Sequence, residues 1–153
     1  MSGRASAWSA SASSSSSVRL LPDLSAADNV ALPLLMGGMR RRAATAKATA
    51  WLDLLGLADQ AAKSPGDMSG GQAQRVAIAR ALVTEPSVVF ADEPTGSLDS
   101  LSAEHVLNAM LGATRNLGTT VVLITHDART AAYADREVIV RDGRLSGVAE
   151  AVR

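Results

Sequence analysis

Two short apolar runs, rich in β-branched and aromatic residues, constrain the fold of this 153-residue chain more than any other feature. Residues 87–91 and 119–125 each have the length and composition of a strand that is buried on both faces. Residues 100–116, between them, are predicted to form a helix that Gly118 ends, and residues 127–134 a short helix. Strands that alternate with helices form layered folds, so the sequence predicts an α/β domain with a mostly parallel sheet.

The segment of residues 18–86 is predicted to be mainly helical. Ser25 is placed to cap the start of a first short helix, which Pro33 is expected to limit. Residues 40–55 follow as an amphipathic helix, and residues 72–83 form another with apolar residues at helical spacing. The apolar stripe expected on the second of these helices consists of Ala43, Ala46, Ala50, Trp51, Leu54 and Leu55.

The end of the chain carries a hairpin signal. Asp142 and Gly143 stand between two short segments with strand character, residues 137–140 and 144–145. An Asp-Gly pair favours a tight two-residue turn, because both positions of that turn need a positive φ. The sequence therefore predicts a pair of strands around this turn.

Serine is concentrated at the start of the chain, where 9 of the 17 serines lie within residues 1–17. This segment contains Arg4 but no apolar stretch of the kind found in secretory signals. Small polar residues bury too little surface to offset the entropy cost of ordering. We therefore expect residues 1–17 to form a disordered tail.

Charge and cysteine content exclude several classes of protein. The 15 basic and 15 acidic side chains leave a formal net charge of zero, whereas nucleic-acid and anionic-membrane binding need a basic surplus. The absence of cysteine rules out a disulfide framework, a Cys-ligated metal centre and a thiol nucleophile. No apolar run approaches the roughly 18 residues that a membrane span needs. The sequence thus predicts neither a nucleic-acid partner nor a membrane span of its own.

The first chemical motif is Ser69-Gly70-Gly71-Gln72, at the entrance to the helix of residues 72–83. Two glycines allow backbone N–H groups to approach an anion closely, and the helix N-terminus adds partial positive charge. The Ser69 hydroxyl is a further donor. The alternative is a Ser-Gly-Gly turn that only caps the helix, since short glycine-rich matches are common.

The second motif is a pair of carboxylates, Asp92 and Glu93, at the end of the first apolar run. In parallel sheets, ligands bind at the carboxyl ends of the strands. An aspartate there suits Mg²⁺, which prefers oxygen ligands, and a glutamate suits polarising a water for attack on a phosphoryl group. The alternative is an ordinary acidic exit from a strand, which is a poor account of the whole string from Asp92 to Asp99.

The third feature is His126, directly after the run of residues 119–125. If the two predicted strands are neighbours, His126 lies beside the end of the strand that carries Asp92. A histidine there can hydrogen-bond a terminal phosphate and an attacking water, whereas a lone histidine at a strand end is more often an ordinary polar group. His105 lies inside a predicted helix and is interpreted as part of a solvated face.

Taken together and in this order, the motifs resemble those of ABC-type ATPases. Residues 69–82 resemble the signature motif, and residues 90–96 resemble the Walker B strand with the turn that follows it. Residues 97–99 look like the D-loop, and residues 125–127 look like the H-loop. The resemblance covers about residues 20–145. The sequence there is most similar to the lipoprotein-release and macrolide-export branch of the family.

The resemblance implies a partial P-loop NTPase (ABC ATPase) domain that uses ATP and Mg²⁺. By this resemblance Asp92 would hold Mg²⁺ through water, Glu93 would be the general base, and His126 would contact the γ-phosphate. The residues implied to bind the nucleotide of the opposite subunit, or to link the two sites, are Ser69, Gly70, Gly71, Gln72 and Asp99.

The resemblance also implies partners and a location. Such subunits close head-to-tail around two ATP molecules and transmit that closure to a membrane permease. A second ATP-binding subunit and a permease are therefore the expected partners, and the expected location is cytoplasmic, at the inner face of the cell membrane. Residues 20–62 match the helical subdomain, which faces the permease in this family.

Two motifs of the family have no counterpart in these residues. A P-loop requires G-x-x-x-x-G-K-[ST], yet Lys47 and Lys63 are the only lysines and each follows an alanine. A Q-loop glutamine is expected before the helical subdomain, but no glutamine precedes Gln60. We therefore expect an N-terminally truncated subunit that is inactive alone. Its expected parts are a tail (1–17), a helical subdomain with the signature motif (18–86) and the C-terminal part of the ATPase core (87–153).

Several alternative hypotheses address the same residues. One treats residues 14–17 as a Q-loop read out of frame, because codons for a family Phe-Gln segment read one base later encode serines. Another treats the chain as a non-catalytic partner that supplies only its signature motif to a complete ATPase. A third is an ATPase head of the chromosome-maintenance type, against which His126 and the absence of coiled-coil heptads count. An incomplete parallel sheet would expose an apolar edge, so poor solubility is expected.

Overall fold

The computed structural model describes residues 5–9 and 20–150. None of the helices in these residues is long and apolar enough to cross a membrane. In chain order the elements are β1 (Ala5–Ser9), α1 (Ala26–Met36), α2 (Arg41–Leu54), two short 3-10 helices (Ala58–Gln60 and Pro65–Asp67), α3 (Gly70–Leu82), β2 (Val88–Asp92), α4 (Ser100–Leu117), β3 (Thr120–Ile124), α5 (Ala128–Ala131), β4 (Arg136–Arg141) and β5 (Arg144–Glu150).

The strands form two separate sheets. In the first, β1, β2 and β3 are parallel with β2 in the middle, and Asp92 at the end of β2 is in register with Ser9 and Ile124. The carboxyl ends of all three strands therefore lie at one edge, as the predicted parallel sheet requires. In the second, β4 and β5 pair antiparallel. Asp142 and Gly143 join them with positive φ angles of 49° and 71°, which confirms the predicted turn.

The start of the chain differs from the expected disordered tail. Ala5–Ser9 form β1, which pairs with β2 along its whole length. Serine and alanine content does not report on such pairing, because ladder hydrogen bonds come from the backbone of any residue except proline. The rest of the predicted tail, residues 1–4 and 10–17, lies outside the described residues.

α1, α2 and α3 pack against one another and share one apolar core with one face of β2. Ser25 caps α1 as predicted, since its hydroxyl oxygen accepts a hydrogen bond from the Asp28 amide at 3.1 Å. Pro33 does not limit α1, which continues to Met36. A proline removes one helical hydrogen bond, and the packing of α1 against α2 and α3 outweighs that loss here.

α2 buries a face that is displaced from the predicted stripe. Trp51 and Leu55 are buried as expected. Alanines occupy both faces of this helix, so the pattern of apolar residues does not distinguish its possible rotations. The contacts of α2 with α1 and α3 decide between them. The other core positions are Ala44, Ala48 and Leu52, and the exposed residues of the predicted stripe are Ala43, Ala46, Ala50 and Leu54.

Among the described residues, β2 and β3 are covered on one face only, which corrects the prediction of strands that are buried on both faces. Val89 and Ala91 of β2 lie in the core, at 2% and 0% exposure. On the opposite face, Phe90, Val122 and Ile124 are 38%, 38% and 52% exposed. An apolar run shows that a strand is hydrophobic, but the faces that are covered depend on which elements pack there.

Candidate functional site

The predicted carboxylates and His126 meet at the carboxyl edge of the parallel sheet. β2 ends at Asp92 and β3 ends at Ile124, and these two residues are in register. The Glu93 amide donates a hydrogen bond to the Ile124 carbonyl at 2.8 Å, so the two segments leave the sheet side by side. The structure thus places His126 beside the end of the strand that carries Asp92.

The Glu93 carboxylate is held by the segment that follows β3. Its Oε1 accepts a hydrogen bond from the His126 amide at 2.9 Å and lies 2.6 Å from the ring Nδ1 of His126. Its Oε2 accepts from the Thr125 hydroxyl at 3.1 Å. The Glu93 side chain is 18% exposed, whereas that of His126 is 88% exposed. The carboxylate is therefore fixed in one orientation and can share a proton with an imidazole that is open to solvent.

A buried contact ties the loop after Glu93 to α5. The hydroxyl oxygens of Thr95 and Thr130 lie 3.0 Å apart, and both residues are almost fully buried. Thr130 also donates to the Asp127 carboxylate at 3.1 Å. Asp127 caps α5 by accepting from the Arg129 amide, which is the main cause that lowers the pKa of the Asp127 carboxyl. The segment that carries the histidine is thus anchored to the loop that carries the glutamate.

Asp92 is half-buried at the end of β2. Within the described residues, no group of three or more His, Cys, Asp or Glu side chains is arranged to hold a metal ion. Mg²⁺ is usually bound by only one or two carboxylates, together with waters and substrate phosphates. Asp92 fits that mode of binding as a single carboxylate, so the ion would come together with a phosphate ligand.

Ser69 and Gln72 form a complete capping box at the start of α3. The Ser69 amide donates to Gln72 Oε1 at 2.9 Å, and the Gln72 amide donates to Ser69 Oγ at 3.3 Å. The amides of Gly70 and Gly71 lie in the first turn, where a helix offers its own N–H groups no acceptor. The capping turn and the anion-binding surface predicted here are therefore compatible, because capping uses other donors than the two glycine amides.

The turn of residues 69–72 packs against the start of α4. A Cβ atom added to Gly70 would lie 3.2 Å from Cδ2 of Leu98, and one added to Gly71 would lie 3.5 Å from Cβ of Ser102. A side chain at Gly70 therefore fits only if Leu98 moves. The close approach of Leu98 therefore disfavours a side chain at this position.

Asp99 is the N-cap of α4 and stands beside this turn. Its carboxylate accepts from the amides of Leu101 and Ser102 at 3.1 and 3.0 Å, and from the Ser102 hydroxyl at 2.6 Å. The bond from the Ser102 hydroxyl is the largest cause that lowers the pKa of Asp99. The exposed start of α4 therefore carries an ionised carboxylate.

Comparison with known families decides what these motifs represent. A family model described as "ABC transporter" matches residues 5–96, which is more than half of the chain. The chain belongs to the ABC transporter family. The predicted family is thereby confirmed, and the match includes the signature and Walker B segments at residues 69–82 and 90–96.

Relatives in the ABC family include ATP-binding proteins of lipoprotein release. The chain is 48% identical over 126 residues to the lipoprotein-releasing system ATP-binding protein LolD of Bordetella pertussis, a match that covers 82% of the chain and 54% of that protein. LolD of Shewanella denitrificans is 46% identical over 127 residues, with coverage of 83% and 54%. The chain thus spans about half the length of the curated relatives that it matches.

Solved ABC cassettes have the same fold. A dimeric, post-hydrolysis structure of the ATP-binding cassette MJ0796 bound to ADP and Pi matches with a TM-score of 0.75 and 35% identity, over 88% of this chain and 60% of that one. A second dimeric MJ0796 structure, described as a bacterial ABC transporter cassette, matches with a TM-score of 0.75 and 36% identity. The expected α/β fold, a partial P-loop NTPase (ABC ATPase) domain, is confirmed.

Sequence reasoning missed the contacts of two buried residues, Gln74 within the signature segment of residues 69–82 and Thr130 in α5. Gln74 is 4% exposed within α3 and donates from Nε2 to the Pro94 carbonyl at 2.5 Å. Thr130 is the buried partner of Thr95 described above. A polar residue among the apolar positions of a helix is a signal for such a contact, but its partner, 20 residues away for Gln74, cannot be read from the sequence.

Proposed function

We propose that this chain is the ATP-binding subunit of an ABC transporter of the lipoprotein-release type, and that it couples ATP hydrolysis to transport through a separate membrane permease. The observation that carries the proposal is the 2.6 Å contact between Glu93 and His126, beside Asp92 at the carboxyl edge of the sheet. A carboxylate and an imidazole brought together there suit the attack of water on a phosphoryl group. The family and the LolD relatives support the same function.

The residues at this edge have separate roles in the proposed reaction. Glu93 is the general base and takes a proton from the attacking water. His126 contacts the γ-phosphate, and its contact with Glu93 holds both side chains in place. Asp92 would hold Mg²⁺, and the charge of this ion would offset that of the phosphates.

The turn of residues 69–72 and Asp99 form the proposed contact with a second ATP-binding subunit. The Ser69 hydroxyl and the amides of Gly70 and Gly71 bind the terminal phosphate of the nucleotide held by that subunit. Gln72 keeps the turn in shape through the capping box, and Asp99 links the two sites across the dimer. The matching MJ0796 cassette with ADP and Pi is described as dimeric, which supports this arrangement.

The proposed location is cytoplasmic, at the inner face of the cell membrane and bound to the permease. The proposed contact region is the helical subdomain of residues 20–62. It exposes Met36 and Leu54 at 81% and 59%. A partner that docks on this region would remove these apolar side chains from water.

We further propose that these 153 residues alone have no useful affinity for ATP. They contain no G-x-x-x-x-G-K-[ST], the motif whose backbone and lysine hold the phosphates.

A second candidate function rests on the same observation: a non-catalytic partner that supplies only its signature turn to a complete ATPase. The complete capping box of Ser69 and Gln72 favours this candidate, because the turn is fully formed without a P-loop.

The two candidates differ in their dependence on Glu93. The test uses the chain assembled with its permease and a complete ATP-binding subunit, and measures phosphate release. If the chain hydrolyses ATP, Glu93→Gln removes the part of the phosphate release that comes from the chain's own site, because a general base contributes about 10²–10⁴-fold there. If it supplies only the signature turn, Glu93→Gln leaves the rate unchanged, while Gly71→Asp lowers it by repelling the phosphate.

The control for this assay is Glu104→Gln, which removes an exposed carboxylate of α4. It should leave phosphate release unchanged under either candidate. A rate that is insensitive to both Glu93→Gln and Gly71→Asp would contradict both. ATP binding by the isolated chain, measured by calorimetry, would contradict the proposal that it has no useful affinity alone.

A further inference from the structure

Gln74 connects the signature helix α3 to the loop that follows the Glu93 carboxylate. Its side chain is 4% exposed, and its Nε2 donates to the Pro94 carbonyl at 2.5 Å across 20 residues of sequence. Pro94 is itself fully buried. The bond therefore lies in the core, where it joins the backbone next to Glu93 to the helix that begins at the signature turn.

The backbone at Glu93 is strained. Its φ is +45°, in the left-handed region that residues other than glycine rarely adopt, and a proline follows it. Such a conformation costs on the order of 1–3 kcal/mol and persists only where the surroundings hold it. On one side, the Glu93 amide is bonded to the Ile124 carbonyl. On the other side, the Glu93 carbonyl accepts from the Gly96 amide at 3.2 Å, and the next carbonyl, that of Pro94, accepts from Gln74.

The direction of the Glu93 side chain depends on this backbone. With a φ of +45°, the carboxylate reaches the Thr125 hydroxyl and the His126 amide at 3.1 and 2.9 Å. Relaxation of Glu93 to an ordinary negative φ would turn its Cβ away from β3 and break these contacts. Release of the Pro94 carbonyl removes the bond that ties this backbone to α3 and leaves the local turn bond from the Gly96 amide, which favours that relaxation.

We propose that Gln74 is a positioning residue that holds the Glu93 carboxylate against Thr125 and His126. It acts through the Pro94 carbonyl, so a shift of α3 changes the geometry of the carboxylate. The importance of this link for hydrolysis rests on the proposed function, in which Glu93 is the base. The geometric claim does not rest on the proposed function, because it concerns contacts that this chain makes without nucleotide.

A purely structural role for Gln74 makes a different prediction. A buried amide that only fills space and satisfies a carbonyl would affect global stability, but not one loop in particular. Gln60 provides the matched comparison, because it is also buried, at 7% exposure, and its Nε2 donates to the adjacent Asp59. Gln60 lies in the short helix after α2, with no described contact to the loop of Glu93.

The test is amide hydrogen exchange measured by NMR on the full 153-residue chain. Gln74→Met and Gln60→Met remove the same polar group from two buried sites. We expect Gln74→Met to lower the protection of the His126 amide by at least about tenfold relative to that of core amides, and to shift the ring signals of His126. Gln60→Met should leave both within about twofold of the wild type.

Two results from the variants would overturn the proposal. One is unchanged protection of the His126 amide in Gln74→Met, and the other is an equal loss in Gln60→Met. If Gln74→Met does not fold, Gln74→Leu removes the donor with a different apolar side chain. The wild type gives a third measurement: side-chain amide protons of Gln74 that exchange as fast as those of Gln72 would exclude a held bond. Since no nucleotide is present, failure here is distinct from failure of the ATPase proposal.

Discussion

At the scale of single residues, buried polar side chains join segments that lie apart in the chain. Asn29 is fully buried, and its side chain accepts from the Leu21 amide at 2.8 Å and donates to three backbone carbonyls within residues 21–25. Gln74 and Thr130 make comparable connections to the loop after β2. A buried donor or acceptor that loses its partner costs about 1–3 kcal/mol. Loss of one of these side chains would therefore also leave the groups bonded to it unpaired.

A prediction at this scale concerns stability in acid. The pKa of Asp99 lies below its ordinary value of 3.8 in the folded chain, mainly because the Ser102 hydroxyl donates to it. Unfolded chains therefore bind this proton at higher pH than folded ones. The stabilisation by Asp99 is present above pH 3.8 and is lost as the pH falls through the lowered, folded-state pKa. Asp99→Asn should thus destabilise the chain near neutral pH, and this difference should shrink below that value.

Urea unfolding of the wild type and of Asp99→Asn, followed by circular dichroism over the acid range, measures this difference. Ser102→Ala supplies the control, because it removes the donor that lowers the pKa of Asp99 most. In the Ser102→Ala background, the pH-dependent part of the effect of Asp99→Asn should be smaller. A difference between wild type and Asp99→Asn that is the same at neutral and acid pH would contradict the expected linkage.

Residues whose partners lie within one helical turn could be predicted from the sequence. Ser25 and Ser69 cap helices through bonds to the third residue after them, and their residue types signal this. His126 was also expected beside the end of the strand that carries Asp92, on the condition that the two predicted strands are neighbours, which β2 and β3 are. Gln74 could not be found in this way, because the position of Pro94 depends on how α3 packs beside the loop.

At the scale of elements, the ends of helices and strands were predicted better than the faces that they bury. β2 and β3 lie within one residue of the predicted runs, and α4 ends at Gly118 as expected. Local signals such as caps and turn residues determine these ends. The rotation of α2 and the continuation of α1 past Pro33 depend on contacts with other helices, which outweigh local preference.

Replacing two glycines by alanine, one inside α4 and one at its end, should change the free energy of unfolding in opposite directions. Gly118 ends the helix in the left-handed conformation, with a φ of 64°, whereas Gly112 is exposed inside the helix. Gly118→Ala should lower the free energy of unfolding by about 1–2 kcal/mol, because a Cβ is unfavourable at that φ. Gly112→Ala should raise it by about 0.5–1 kcal/mol, because glycine is a poor helix former.

Chemical denaturation, followed by circular dichroism at the helical band, measures the free energy of unfolding of both glycine variants. A Cβ at either position would meet no atom within 4 Å, so neither result is complicated by a clash. Each variant is therefore the control for the other, since both add the same methyl group to one helix. Changes of the same sign would contradict the assignment of Gly118 as a left-handed helix end.

At the scale of the whole molecule, the parallel sheet has one covered face and one exposed face. Phe90, Val122 and Ile124 form the exposed apolar face. β3 is at the edge of the described sheet, and none of its five residues is charged or a proline. Edge strands are usually protected from pairing with other chains by such residues. Burial on both faces was predicted from the apolar character of the strands, which does not report whether a second layer is present.

This edge leads us to expect that the isolated chain self-associates. Light scattering after size exclusion should give a mass above the 15.7 kDa of one chain. Val122→Lys places a charge on the exposed face of β3 and should shift the mass towards 15.7 kDa, because strand pairing would then bury or crowd the ammonium group.

The matched control for self-association is Leu101→Lys on α4, where Leu101 is 63% exposed and Val122 only 38%. Both variants add one positive charge and remove one exposed apolar side chain, so a general gain in solubility would appear equally in the two. The backbone groups of α4 are bonded within the helix, and they offer no edge to another chain. Leu101→Lys should therefore leave the mass unchanged. An equal decrease in both variants would show that net charge, and not the edge of β3, controls the association.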